Sequence, residues 1–242
     1  MNSSSARVAR ITAGFAAAPA VALALVAWVA GGLVAAAVVF VVVAGALTWW
    51  ALTWGDRRVA ATLSSLGARE ADPVRDARLA NMVEGLSMNA GVRQPRLLVV
   101  EAAGLNALAA GTSASKAVVA VTSGLLAELD RIELEAVLAE AMSQIRRGDT
   151  VAPTVAVATF GLGRRLAIAS DRDALADQAA VTLTRYPPAL ASALEKVEAK
   201  GWEVPGQPAY MASLWLADPR PGVPQDAGRL PLSERIEALR EL

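Results

Sequence analysis

The sequence predicts a mainly helical α+β protein, in which an N-terminal transmembrane helical hairpin precedes a cytoplasmic domain with a small β-sheet. Three observations predict it. Residues 11–54 carry no charge. Apolar patterns of helical period, with start and stop signals, fill most of the remaining chain. Two short β-type runs, PRLLVVE (95–101) and KAVVAVT (116–122), lie between those helices. The expected division is 1–54 for tail and hairpin and 55–242 for the cytoplasmic domain.

As a single helix the uncharged run would reach roughly 65 Å, about twice the ~30 Å hydrocarbon core of a bilayer. It is therefore split at Gly31-Gly32, giving helices of about 11–30 and 33–54. A cleaved signal peptide would have only ~7–15 apolar residues followed by a polar mature chain, so the hairpin fits better. Arg7 and Arg10 precede the first helix, Arg57 and Arg58 follow the second, and the turn between is uncharged. The positive-inside rule then puts both ends, and the domain that follows, on the cytoplasmic side of the inner (plasma) membrane. Trp49, Trp50 and Trp54 fall at that interface and Trp28 at the opposite one. Small residues such as Gly32, Ala36 and Gly45 permit close helix packing.

Lys plus Arg number 23 and Asp plus Glu 23. That balance excludes the basic excess of a nucleic-acid binder. With no Cys there is no disulfide framework and no thiolate metal site. His is absent too.

After the hairpin, residues 56–66 read as a helix leaving the membrane. Asp72-Pro73 opens another, with Asp as N-cap and Pro at the first helical position. Its apolar residues are Val74, Leu79, Met82, Val83, Leu86 and Met88, and Gly91 ends it. Asp130 and Glu133 fit a capping box. Leu134, Val137, Leu138, Ala141, Met142 and Ile145 then form a buried stripe up to Gly148. Glu140 and Gln144, four apart, share the face beside it. Residues 151–163 are apolar but too few for a span, so they read as a core or interfacial helix. Helices follow at 172–184 and 188–200. A Pro/Gly-rich stretch, 204–230, reads as a surface loop by default or as a binding segment. An amphipathic helix at about 232–242 closes the chain.

The segment LEAVLAEAMSQIRRGDT (134–150) resembles the zinc helix of the membrane-bound M48 metallopeptidases (HtpX/Ste24-like), usually close to LEAVLAHELSHIRNRDT. On that resemblance Glu140 stands at the first metal-binding His, Ala141 at the catalytic Glu and Gln144 at the second His. PRLLVVEAAGLNALAAG (95–111) looks like the family's strand and Asn-Ala-x-Ala-x-Gly edge segment. AVVAVTSGLLAELDRIELEAVLA (117–139) looks like the run into the zinc helix. Asp173-Ala174-Leu175-Ala176-Asp177 falls where the family has Glu-x-x-Ala-Asp, so Asp173 takes the place of the third zinc ligand. RLPLSERIEALREL (229–242) resembles the C-terminal His-Pro segment, with Arg229 where a His is usual.

The resemblance implies a zincin-like fold, and the departures imply that its chemistry is gone. A catalytic zinc site uses three ligands, typically two His and a carboxylate, and keeps a water. A neutral amide is a poor zinc ligand, and two carboxylates suit harder ions such as Mg²⁺ or Ca²⁺. Ala141 cannot take a proton from water. The chain is thus expected to have no catalytic residue and no cofactor, zinc having been lost, with Glu140, Gln144 and Asp173 in a hydrogen-bonded polar cluster or, as the alternative, a weak non-zinc ion site. In active relatives the edge segment pairs with the substrate backbone, which needs main-chain groups and no zinc. Asn106, Ala107, Leu108 and Ala109 are therefore expected to bind a peptide or partner. The expected partners are the lipid bilayer and another membrane protein or a peptide segment, without nucleic acid. The rival readings are an active metalloendopeptidase, its metal held by carboxylates and its base supplied by Glu135 or Asp177, and a purely structural role for the hairpin.

Overall fold

A computed structural model describes residues 3–161, 171–220, 222 and 229–242. The first element, α1 (Ser3–Ser65), is one long apolar N-terminal helical element broken at Gly32. There φ is 76° and ψ −171°, a backbone conformation that L side chains rarely adopt. The break reverses the chain: the ring of Phe15 stacks on Trp50 with centroids 5.9 Å apart. On an unbroken helix those residues would lie roughly 50 Å apart. The element therefore starts earlier and ends later than its uncharged run, and its second arm carries on as the expected 56–66 helix. Between residues 21 and 54 most large apolar side chains point outward, Val29 at 84% and Leu33 and Val34 at 77% exposure. Apolar surface on this scale calls for an apolar medium.

The base of the hairpin docks on α5 (Val151–Ala158). Ile11 and Ala51 join Ala152, Val155 and Ala156 in one buried cluster. Gly55 sits so close to α5 that a Cβ there would lie 2.6 Å from the Thr154 carbonyl oxygen. The apolar run from residue 151 is thus core as far as Ala158, while residues 162 and 163 lie outside the described chain.

Four strands, β1 (Arg69–Glu70), β2 (Arg96–Val100), β3 (Ala107–Ala110) and β4 (Val118–Thr122), form a sheet of order β1-β2-β4-β3. β2 and β4 are parallel, and β1 and β3 flank them antiparallel. Side chains alternate between two buried layers. Leu97, Val99, Val119 and Val121 face the helical core, whereas Leu98, Val100, Val118 and Ala120 face the end of α1 and the segment around Met211–Trp215. Burial on both faces explains why these strands read as unbroken apolar runs.

The helices of the main core are α2 (Ala77–Ala90), α3 (Ser123–Glu128), α4 (Arg131–Arg147), α6 (Arg172–Thr184), α7 (Pro187–Lys200) and α8 (Leu232–Arg240). α2 begins four residues later than Asp72-Pro73 suggests. The Asp72 carboxylate accepts from the Val74 and Arg75 amides and closes a separate turn. Asp76, at the N-cap position, spends its carboxylate on Arg69 and the Asp72 amide. Val74 and Met88 are accordingly exposed, while Leu79, Met82, Val83 and Leu86 are buried. In the stretch after residue 204, of which 221 and 223–228 lie outside the described residues, 211–218 are buried and so depart from a surface loop. Its 3₁₀ turn (Ala209–Leu214) leads into Trp215, Leu216 and Ala217, all buried.

Candidate functional site

The site is built on α4. Both halves of its capping box are present: Asp130 accepts from the Ile132 and Glu133 amides, and Glu133 accepts from the Asp130 amide at 2.8 Å. Lys196 and Ser192 of α7 also bind the Glu133 carboxylate, both at 2.6 Å, and fix the start of the helix. Gly148 ends it in a left-handed conformation. Residues 133–134 and 136–145 are all buried, so Glu140 and Gln144 lie inside the protein. The Gln144 amide donates to Glu140 Oε1 at 3.0 Å, as their spacing of four requires. Ala141, between them, is 3% exposed.

α6 delivers Arg172, Asp173 and Asp177 to the same place, and the C-terminal segment delivers Arg229 and Arg235. Arg229 grips Asp173 at two points, Nε to Oδ2 and Nη2 to Oδ1, each 3.0 Å. Arg235 grips Asp177 likewise at 2.8 and 2.6 Å, and reaches Glu140 Oε1 at 3.4 Å. Arg172 donates to Gln144 Oε1 at 2.5 Å. Three guanidinium groups therefore interleave with three carboxylates in a buried cluster.

The same guanidiniums hold the segment that follows the 3₁₀ turn. Arg172 donates to the Ser213 carbonyl, Arg229 to those of Trp215 and Leu216, and Arg235 to Leu216. That segment lies along β3. The Leu216 amide donates to the Ala107 carbonyl at 2.7 Å, and Leu108 forms an antiparallel bridge with Trp215. Asn106 uses both ends of its side chain: Nδ2 donates to the Trp202 and Ala217 carbonyls, while Oδ1 accepts from the Ala107 and Ala217 amides. Asn106, Ala107, Leu108 and Ala109 are all buried, and the chain's own 215–217 segment covers their edge.

Electrostatics follow from burial. Loss of hydration pushes the Glu140 carboxyl up to about 7, against the pull of Arg235. The same desolvation raises Asp177 despite Arg235. For Asp173, burial opposes ionisation, but Arg229, Arg235 and Arg172 together outweigh it and hold the carboxyl far below the usual range. Arg172 is lowered by burial and by neighbouring Arg229.

These residues do not fit a zinc ion. Both oxygens of Asp173 point at Arg229, the Gln144 oxygen points at Arg172, and Glu140 Oε1 serves Gln144 and Arg235. Among the described residues no three His, Cys, Asp or Glu side chains are arranged to hold a metal. Asp177 is tied to Arg235, and Glu135 lies apart, in a groove between α2 and α4. Reading from carboxylate positions alone misses Arg172 and Arg235. The missing signal was charge balance: three acids on inward faces need cations close by.

Comparison with known proteins adds an independent line. The model of "Peptidase family M48" matches residues 73–198. A protein named "Protease HtpX homolog" from Tropheryma whipplei (strain Twist) is 33% identical over 221 residues, covering 73% of this chain and 76% of its own. A protein of the same name from Dictyoglomus thermophilum is 32% identical over 218 residues, with 72% of each chain covered. Another, from Acidiphilium cryptum, is 30% identical, and its alignment of 262 positions covers 89% of each chain. That alignment is longer than the 242 residues here, so the relative carries residues with no counterpart in this chain.

Proposed function

The chain belongs to peptidase family M48, and from that premise we propose that it is a catalytically silent member, anchored in the membrane by its hairpin and acting as an interaction, scaffold or regulatory subunit. One observation carries this reading: at the family's metal-binding positions, the donor atoms of Gln144 and Asp173 are bound to Arg172 and Arg229. A guanidinium supplies the positive charge a metal would bring, but activates no water. Ala141 removes the base as well.

The anchor consists of two spans, with both chain ends and the domain on the cytoplasmic side. The reversal at Gly32, the outward-facing apolar arms and the Arg residues at both arm ends support that topology. The partner is another membrane protein or a peptide segment. A strand of that partner reaches Asn106–Ala109 only by displacing residues 215–217 from the edge.

Metal analysis of the detergent-purified full chain, run beside a casein cleavage assay, tests the reading. Less than stoichiometric transition metal and no cleavage are expected. Tightly held metal, with hydrolysis that chelator abolishes, overturns it in favour of a metalloendopeptidase with an unconventional site. Purification in mild detergent tests the second half: a chain that runs as a lone monomer with nothing retained counts against an interaction subunit.

A further inference from the structure

Where the hairpin meets the domain, a cleft of about 530 Å³ opens between the start of α1, its second arm and the α4–α5 junction. Its lining is of mixed character: Val8, Leu52 and Val151 are apolar, whereas Ser4, Ser5 and Arg147 are polar or charged. Arg147 is part-exposed. Its Nε lies 3.0 Å from Asp149, and its terminal nitrogens have no hydrogen-bond partner among the described residues. Arg7 shares Asp149 at 3.9 Å, so two cations meet one carboxylate, and exposed Arg10 and Arg146 stand nearby in the sequence.

We propose that this cleft seats an anionic phospholipid. Its phosphate is bound by Arg147 and the Ser4 and Ser5 hydroxyls, and the upper part of an acyl chain lies against Val8, Leu52 and Val151. Both ends of the ligand are matched. The excess positive charge suits a phosphate, and Leu52, which lines the cleft, is exposed like Trp49 one turn before it on the arm that acyl chains would surround. The α4–α5 junction is also the seam between hairpin and domain, so a lipid held there braces the two against each other. The proposal rests on the reading of α1 as a membrane hairpin.

The test uses the full chain, purified from membranes into nanodiscs of equal phosphatidylglycerol and phosphatidylcholine, and native mass spectrometry of lipids retained after release into detergent. Wild type is expected to keep one phosphatidylglycerol in preference to phosphatidylcholine. Arg147→Gln should lower that retention about tenfold, the loss of one charge-assisted hydrogen bond to the phosphate. Ala9→Trp, which fills the cleft without changing charge, should lower it as well. Arg10→Gln, an exposed cation at the same level, should leave it unchanged. Equal retention of the two lipids, unchanged retention in Arg147→Gln or Ala9→Trp, or an equal loss in Arg10→Gln overturns the proposal. So does displacement of the lipid by excess inorganic phosphate, which would mark a simple anion site. A chain washed off membranes by alkaline carbonate instead overturns the hairpin reading itself, a separate failure.

Discussion

Arg229 meets Asp173 as fork to carboxylate, with two contacts of 3.0 Å and each side chain 2% exposed. Neither group is tolerable there alone. Arg229→Ala leaves a buried carboxylate without its two-point partner and frees the carbonyls of Trp215 and Leu216, a loss of about 3–5 kcal/mol. Replacing both, as Arg229→Met with Asp173→Leu, should restore most of that stability, since an apolar pair of similar volume is often about as stable. Denaturant unfolding of the full chain in detergent, arranged as a double-mutant cycle, measures the coupling directly.

Glu140 gives the cluster a pH dependence of definite sign. Its folded carboxyl titrates at about 7, above the ordinary 4.5. Between those values the folded chain holds a proton that the unfolded chain releases. The stabilisation is therefore complete below about pH 4.5 and is lost as pH rises through 7. Asp177, raised by the same burial, acts in the same sense. Stability should fall by about 3 kcal/mol between pH 5 and pH 8. Glu140→Gln, which keeps the shape and cannot ionise, should flatten most of that slope in thermal melts taken across the range.

On the proposed reading of α4, putting the family's ligand types on that helix alone should not create a zinc site. In the triple variant E140H/A141E/Q144H, Asp173 stays engaged by Arg229, so the third ligand is missing. Adding Arg229→Ala frees that carboxylate. The quadruple variant should then retain more zinc after dialysis than the triple, as read by elemental analysis. Equal zinc in the two would mean that Arg229 is not what keeps Asp173 from a metal.

The elements readable from the sequence are those with a local cause. The capping box at Asp130 and the stop at Gly148 each follow from a few neighbouring residues, and the chain folds as they indicate; the backbone also breaks at Gly32, within the Gly31-Gly32 pair. The start of α2 departs from the sequence expectation because Asp72 and Asp76 compete for the role of cap, and Arg69 reaches from β1 to engage Asp76. Within the 204–230 stretch the described residues depart from a loop for the opposite reason. Its Pro and Gly residues signal a loop, yet Trp215 to Ala217 are fixed by partners more than a hundred residues away in sequence, Ala107 and Asn106. The guanidinium cluster is also long-range: Arg235 and Glu140 are 95 apart. Periodicity places each of them on an inward face and says nothing about which charge meets which.

The junction of hairpin and domain depends on a missing side chain. A Cβ at Gly55 would lie 2.6 Å from the Thr154 carbonyl oxygen, an atom that cannot turn away because it belongs to α5. Thr154 also accepts from the Gly111 amide, and Asp56 binds Thr112, so the same joint ties the hairpin to the end of β3. Gly55→Val should cost about 1–3 kcal/mol through overpacking and loosen the hairpin, seen as faster proteolysis between hairpin and domain. Gly45→Val, where a Cβ meets nothing within 4 Å, is the matched control.

Asn106 holds the segment that covers the sheet edge. Its side chain makes four hydrogen bonds, three of them to the backbone of Trp202 and Ala217, and so fastens the covering segment beside β3. Asn106→Ala strands those buried backbone groups, each at about 1–3 kcal/mol, and should release residues 215–217 before the rest of the domain unfolds. Hydrogen exchange would register this as faster labelling of the Leu216 amide, with α4 amides still protected. An edge uncovered in this way presents free main-chain groups. The variant should therefore bind an extended model peptide that wild type does not, in a fluorescence anisotropy titration. Equal binding by both would mean that the edge is open despite the segment lying on it.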